Sequence, residues 1–310
     1  MKNNKRIRLI GAPYMYGKNS KLQSRAPDVL RKTGLYRAFE IADLLYKDIG
    51  DIKLPKLLGK DSVKTKLKYF REIREIANLV SQEIKMAISA KEIPILLGGD
   101  HSMTIGALLG IASCRNDVTL IYMDAHGDFH TSQTTPSGWL HGMSLALSVG
   151  LDKDFSRLYG SEITYFDKSK VVLFGAQKFD PGEKEAIVKN VSFIDMNFIT
   201  HHGIGKTVEK LLNQIKTKYI YISLDLDVID RKDAPGTDMA IYGALTYREL
   251  LYTLERLSEK HDVIGMDVVE LSPDKDIDGE TVRLAIESIT TALGNRIGAY
   301  ELYMEKIDKI

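Results

Sequence analysis

The stretch that most restricts the fold is residues 118–130, VTLIYMDAHGDFH. Its apolar, β-favouring run through Met123 has the length and composition of a strand buried on both faces. The run stops at Asp124. Asp124, His126 and Asp128 then follow at alternate positions, which an extended backbone projects to one side. Charged groups converging at the carboxyl end of a buried strand repel and desolvate one another unless positive charge sits among them. A metal ion is the simplest source of that charge.

A strand buried on both faces needs helices above and below it, and the rest of the chain alternates accordingly. Residues 6–13 read as a first strand, and Pro27 suits the first turn of a short helix over 26–32. A long amphipathic helix is expected over 62–91, with Lys and Glu between apolar residues at helical spacing. Residues 93–97 read as a strand ended by Gly98 and Gly99, followed by a helix over 103–113. Farther on, 171–175, 191–194, 219–226 and 263–271 read as strands, and 141–149, 205–218, 247–260 and 281–294 as helices. His201 and His202 fall in a polar surface turn, and Cys114, ending the apolar stretch GALLGIASC, reads as a packing residue. No Pro- or Ser-rich linker and no internal repeat divides the pattern. The expectation is an α/β fold with one domain over residues 1–310. It is a three-layer α/β/α sandwich around a mainly parallel, doubly wound sheet, with ligands gathering beyond the carboxyl ends of the strands.

Composition narrows the partners. The 310 residues carry 43 Lys and Arg against 42 Asp and Glu, a balance that argues against nucleic acid or an anionic membrane as the main partner. No stretch approaches the roughly 18 apolar residues of a membrane span. The start, MKNNKRIRLIGAP, passes directly into a strand, unlike a signal peptide. A lone cysteine excludes an intramolecular disulfide and a cysteine-based zinc site. A cytoplasmic enzyme with a small-molecule substrate is the natural expectation.

Three strand ends offer ligands. His101, after the paired glycines, reads alone equally well as a hydrogen-bonded core histidine. The Asp124, His126 and Asp128 cluster by itself favours a metal. Asp225 and Asp227 share one face of SLDLDVID, where a carboxylate pair serves also as general acid and base or as a helix cap; Asp230, on the other parity, reads as a cap. Their co-occurrence decides for metal. Four carboxylates and two neutral histidines balance two divalent cations, and a set rich in oxygen and free of thiolate favours manganese over zinc. Two such ions held about 3.5 Å apart depress the pKa of a shared water far below its bulk value.

GGDHS (98–102), DAHGD (124–128), PSG-x-LHGM (136–143) and SLDLDVID (223–230) together resemble the arginase and agmatinase superfamily, the ureohydrolases. The resemblance runs from the first strand to the last helix. It implies a homo-oligomer, trimer or hexamer, with two manganese ions per chain that releases urea from a guanidino group. By motif position His101 and Asp128 would bind one ion, His126 and Asp227 the other, and Asp124 and Asp225 both. Glu270, in MDVVELSP, matches the family's glutamate that holds the guanidinium; the bland alternative is a buried salt bridge. His141 matches the histidine that protonates the leaving amine.

The substrate-binding positions are less regular. Asp180 and Glu183, in FDPGE, match acids that face a substrate's α-amino group, and Thr135 and Ser137 match positions near its α-carboxylate. His130 and Trp139, however, stand where arginases usually carry asparagines, Arg231 replaces the usual proline, and PGTDMAIYGAL lacks the family's GVGTPV-like run. The expectation is an arginase-like hydrolase acting through a metal-bridging hydroxide on L-arginine or a close relative, giving urea plus an amine, L-ornithine in the case of arginine. Agmatinase, or another guanidino-acid hydrolase, is the enzymatic alternative. A catalytically silent binding or regulatory protein of the same family and a one-zinc amide hydrolase of the histone-deacetylase type are further readings, both disfavoured by six available ligands.

Overall fold

In a computed structural model, which describes residues 5–17, 23–53, 65–160 and 163–295, eight strands form one parallel sheet. They are β1 (Arg6–Ala12), β2 (Leu45–Asp51), β3 (Ile93–Gly98), β4 (Val118–Met123), β5 (Val171–Phe174), β6 (Ser192–Ile194), β7 (Tyr219–Asp225) and β8 (Asp262–Val269). Their spatial order is β2-β1-β3-β8-β7-β4-β5-β6. Successive residues of a strand point to opposite faces, and the packing follows that parity. Ile95, Leu97, Ile121 and Met123 enter one core; Leu96, Leu120 and Tyr122 enter the other.

Helices cover both faces, so the sheet is the middle of three layers. On one side lie α1 (Ala26–Leu30) and α2 (Tyr36–Ile41), joined by a π-helical turn, with α8 (Met196–Gln214), α9 (Tyr247–Lys260) and α10 (Glu280–Ala292). The other side holds α3 (Phe70–Ser89), α4 (Thr104–Cys114), α5 (Ser144–Ser148), α6 (Lys153–Tyr159) and α7 (Glu183–Asn190). Local chemistry sets their boundaries. Thr246 and Glu249 close a reciprocal capping box at the start of α9, and Asp195 accepts the Phe198 N–H at the start of α8. Among the described residues no helix is long and apolar enough to cross a membrane.

Several expectations shift. The long helix starts at Phe70, after Tyr69 in a left-handed conformation (φ 53°), rather than at residue 62; residues 62–64 lie outside the described ones. His201 and His202 are exposed as expected but belong to α8, which begins at Met196, not to a turn. Cys114 is exposed in the last turn of α4 instead of packed. The edge strand β2 has no counterpart in the sequence reading, because none of its residues is buried and it shows no apolar run.

The order of strands positions the site. β3, β8, β7 and β4 are neighbours, although β3 and β4 are consecutive in the chain. The crossover from β3 to β4 leaves room for two strands that arrive later, and the crevice beyond such a reversal is where ligands bind in open α/β sheets. His101 follows β3, Glu270 follows β8, Asp225 ends β7 and Asp124 follows β4.

Candidate metal centre

The six sequence-selected ligands converge from three of these strand ends, those of β3, β4 and β7. His101 Nδ1 lies 3.1 Å from Asp124 Oδ2, 3.1 Å from Asp225 Oδ2 and 3.3 Å from Asp128 Oδ2. His126 Nδ1 lies 3.0 Å from Asp227 Oδ2 and 3.5 Å from Asp124 Oδ1. Two groups of three have ligand atoms close enough to share an ion: His101, Asp124 and Asp128, and Asp124, His126 and Asp227. Asp124 belongs to both.

The backbone prepares three of the four carboxylates, those of Asp124, Asp225 and Asp227, in the same way. One oxygen accepts a main-chain N–H: Asp124 Oδ1 from His126 (2.7 Å), Asp225 Oδ1 from Asp227 (2.8 Å) and Asp227 Oδ1 from Ala125 (3.3 Å). The other oxygen turns toward the imidazoles. Asp128 and Glu270 adopt left-handed backbones, φ 49° and 64°, which non-glycine residues hold only when the surroundings over-determine them. Gly99 is required for a steric reason, since a Cβ there would stand 1.8 Å from the Tyr14 carbonyl oxygen.

The sequence reading missed the groups that hold these ligands. His101 Nε2 donates to Ser223 Oγ (3.0 Å), and Ser223 passes its own proton to the buried Asp267 (2.6 Å), which also receives Tyr221 and Thr104 hydroxyls. That chain fixes the tautomer and presents Nδ1 to the carboxylates. Tyr122 lies flat on the His101 ring, with centroids 4.5 Å apart, and donates to Asp128 Oδ2 (2.8 Å). In the sequence Tyr122 is indistinguishable from its apolar neighbours, whereas Asp267 stood inside an otherwise apolar strand and was a signal available to be read.

The electrostatics demand positive charge. Burial pushes the Asp128 and Asp225 carboxyls well above the usual carboxylate range, and their carboxylate neighbours push the same way. For Asp124 burial acts upward too, yet His101 and His126 hold it below that range. Burial opposes charge on His126, but Asp227 and Asp124 outweigh it and push the imidazole up to about 12; His101 is raised for the same reason. The fit to cations rests on one atom above all. Asp124 Oδ2 is buried and, with the His101 proton on Nε2, no hydrogen bond satisfies it, although Asp124 belongs to both ligand groups. A buried carboxylate oxygen without a donor is costly, and a cation removes that cost.

Above this floor is a cavity of about 280 Å³ lined by five of the six candidate ligands, all but Asp124, as well as His141, Glu270, His130, Asp180 and Glu183. Glu270 Oε1 accepts the His101 main-chain N–H (3.0 Å), and Oε2 accepts the amide of Gln23, a fully buried residue that no sequence motif singles out. His141 Nδ1 donates to the Gly17 carbonyl (2.6 Å), and Gly17 N–H in turn binds Asp100 Oδ2 (2.7 Å). The mouth is built differently. His130 Nε2 donates to Asp180 Oδ2 (2.9 Å), while both oxygens of Glu183 receive main-chain N–H groups, from Phe129 (3.0 Å) and Asp180 (3.1 Å). Thr135, Ser137 and Trp139 do not line the cavity. Thr135 and Ser137 accept the N–H groups of Gly138 and Trp139, and Trp139 stacks on Tyr69 beneath the Lys68 ammonium. Asp230 accepts the N–H groups of Lys232 and Gly243, the capping role read from its parity.

The sequence model of the arginase family matches residues 5–294. The chain belongs to the arginase family. The arginase of Staphylococcus aureus is 31% identical over 304 residues, 96% of this chain and 100% of its own. The crystal structure of arginase from Bacillus cereus superposes with a TM-score of 0.87 at 31% identity, covering 95% of this chain and 100% of that one. The agmatine ureohydrolase of Thermoplasma volcanium shares the fold at 24% identity, with a TM-score of 0.73 over 97% of this chain and 92% of its own. The arginase-family chain is therefore a ureohydrolase, a hydrolase of C–N bonds in linear amidines, with an arginase fold around its candidate metal centre.

Proposed function

We propose that this chain holds two manganese ions on His101, Asp124, His126, Asp128, Asp225 and Asp227 and hydrolyses the guanidino group of L-arginine or a close relative to urea and an amine. The observation that carries the reading is Asp124, a member of both ligand groups, whose second oxygen is buried without a hydrogen bond. Bound there, the ions would supply the Lewis-acid charge that ionises water at neutral pH. The remaining work falls to the protein's own side chains.

Glu270, its two oxygens held by His101 N–H and the Gln23 amide, orients the planar guanidinium by a charge-assisted, two-point contact. Water adds to the guanidino carbon, the bond from that carbon to the substrate nitrogen breaks, and the nitrogen leaves as an amine that needs a proton. His141 lines the cavity with Nδ1 committed to the Gly17 carbonyl, so delivery of that proton falls to Nε2. The test is urea release from guanidino compounds by the manganese-loaded protein, with metal counted per chain. Near two ions per chain, urea formation, and loss and recovery of both on chelation and reloading are expected. One ion per chain, or no urea from any guanidino compound, would refute the reading.

A further inference from the structure

Among the residues lining the cavity mouth, Lys178 is exposed and forms no ion pair among the described residues. The carboxylates beside it are engaged. Asp180 is bound by His130, whose ring is further held by Thr134 (Nδ1 to Oγ1, 3.2 Å). Glu183 is a brace rather than a receptor: it ties Phe129 to the first turn of α7, and a Cβ on Gly127 would stand 2.7 Å from its carboxyl carbon. Lys178 is therefore the charged side chain at the mouth with no ion pair among the described residues, beside acids that already accept hydrogen bonds.

We propose that the mouth selects a substrate whose far end is an anion and does not reward an α-ammonium: a guanidino acid held by Lys178 through its carboxylate. This rests on the hydrolase reading above and refines its substrate. An α-ammonium entering here shares the mouth with the Lys178 ammonium, and the Asp180 carboxylate it would pair with already accepts from His130. A carboxylate meets a cation that already faces solvent and costs little to engage.

Three substrates of equal reach separate the possibilities: L-arginine, 5-guanidinopentanoate (arginine without its α-amino group) and agmatine (arginine without its carboxylate). On the manganese-loaded protein kcat/KM is expected to be highest for 5-guanidinopentanoate, about tenfold above agmatine, the scale of one charge-assisted contact. Lys178→Gln should remove that advantage mainly through KM, and Lys178→Glu should turn the preference toward agmatine; the position is exposed, so both variants should fold as the parent does. Calorimetry with the corresponding amines, 5-aminopentanoate, ornithine and putrescine, should give the same order without turnover. Urea released preferentially from arginine or agmatine, or a preference unmoved by Lys178→Gln, overturns this inference while leaving the hydrolase intact. Urea from none of the three overturns the hydrolase reading, and this one with it.

Discussion

At the floor of the cavity, His101, Asp124, Asp128 and Asp225 are sealed from water at 1 to 6% exposure, whereas Lys178 and Asp180 at its mouth stand in solvent. At the floor, burial strengthens every charge interaction, so each carboxylate needs an anchored oxygen and a cationic neighbour, and few other side chains satisfy the same geometry. At the mouth, water screens charge and the same motif skeleton carries different partners. His130 bonded to Asp180 is such a substitution, and it converts an acid that could face a substrate into one already engaged. The comparison teaches that chemistry and selectivity are separable here because they are built in different dielectric surroundings.

The largest expected effect breaks the floor. Asp124→Ala removes a ligand common to both groups and should lower urea release by roughly a thousandfold, with metal content falling below two per chain. Retention of urea release within about tenfold would show that the two groups do not act as one centre. His141→Asn should cost about a hundredfold in kcat and remove from the pH–rate profile the limb that an imidazole contributes, whereas a merely structural loss would leave the profile's shape intact. Gln23→Leu deletes one donor to Glu270 and should cost about tenfold in kcat/KM with metal content unchanged, which stoichiometry alongside kinetics would check. The smallest effect belongs to the mouth's outer wall: Trp139→Ala, whose contacts are Tyr69 and Lys68 and not the cavity, should change kcat/KM by less than about threefold. A tenfold loss there would extend the functional boundary beyond the cavity.

The candidate metal ligands were legible because the chemistry is written locally. An apolar run ending in alternating acids and histidines can be seen in a dozen residues of chain, and three such endings reinforce one another. The central strands were legible for the same reason. What could not be seen were relationships across the sheet: that β8 and β7 slot between β3 and β4, that Gln23 reaches Glu270 across 247 positions, and that Ser223 and Asp267 set the His101 tautomer. Edge strand β2, half in water, left no hydrophobic trace, and the left-handed Tyr69 cut short a helix whose periodicity ran on upstream. Trp139 stands at a motif position near the substrate's α-carboxylate, and its ring packs against Tyr69 and Lys68, contacts that a motif position does not reveal.

The insertion of β7 and β8 between β3 and β4 also fixes when the centre can exist. His101 and Asp124 leave the ribosome before the aspartates that follow β7's apolar run and the glutamate after β8. Until those late strands enter the gap, the group around His126 lacks Asp227 and the acids already made have no wall to exclude water. Closing such distant pairings is slow for any chain. The paired ligand groups thus exist together only in a chain whose later strands have been threaded correctly between β3 and β4.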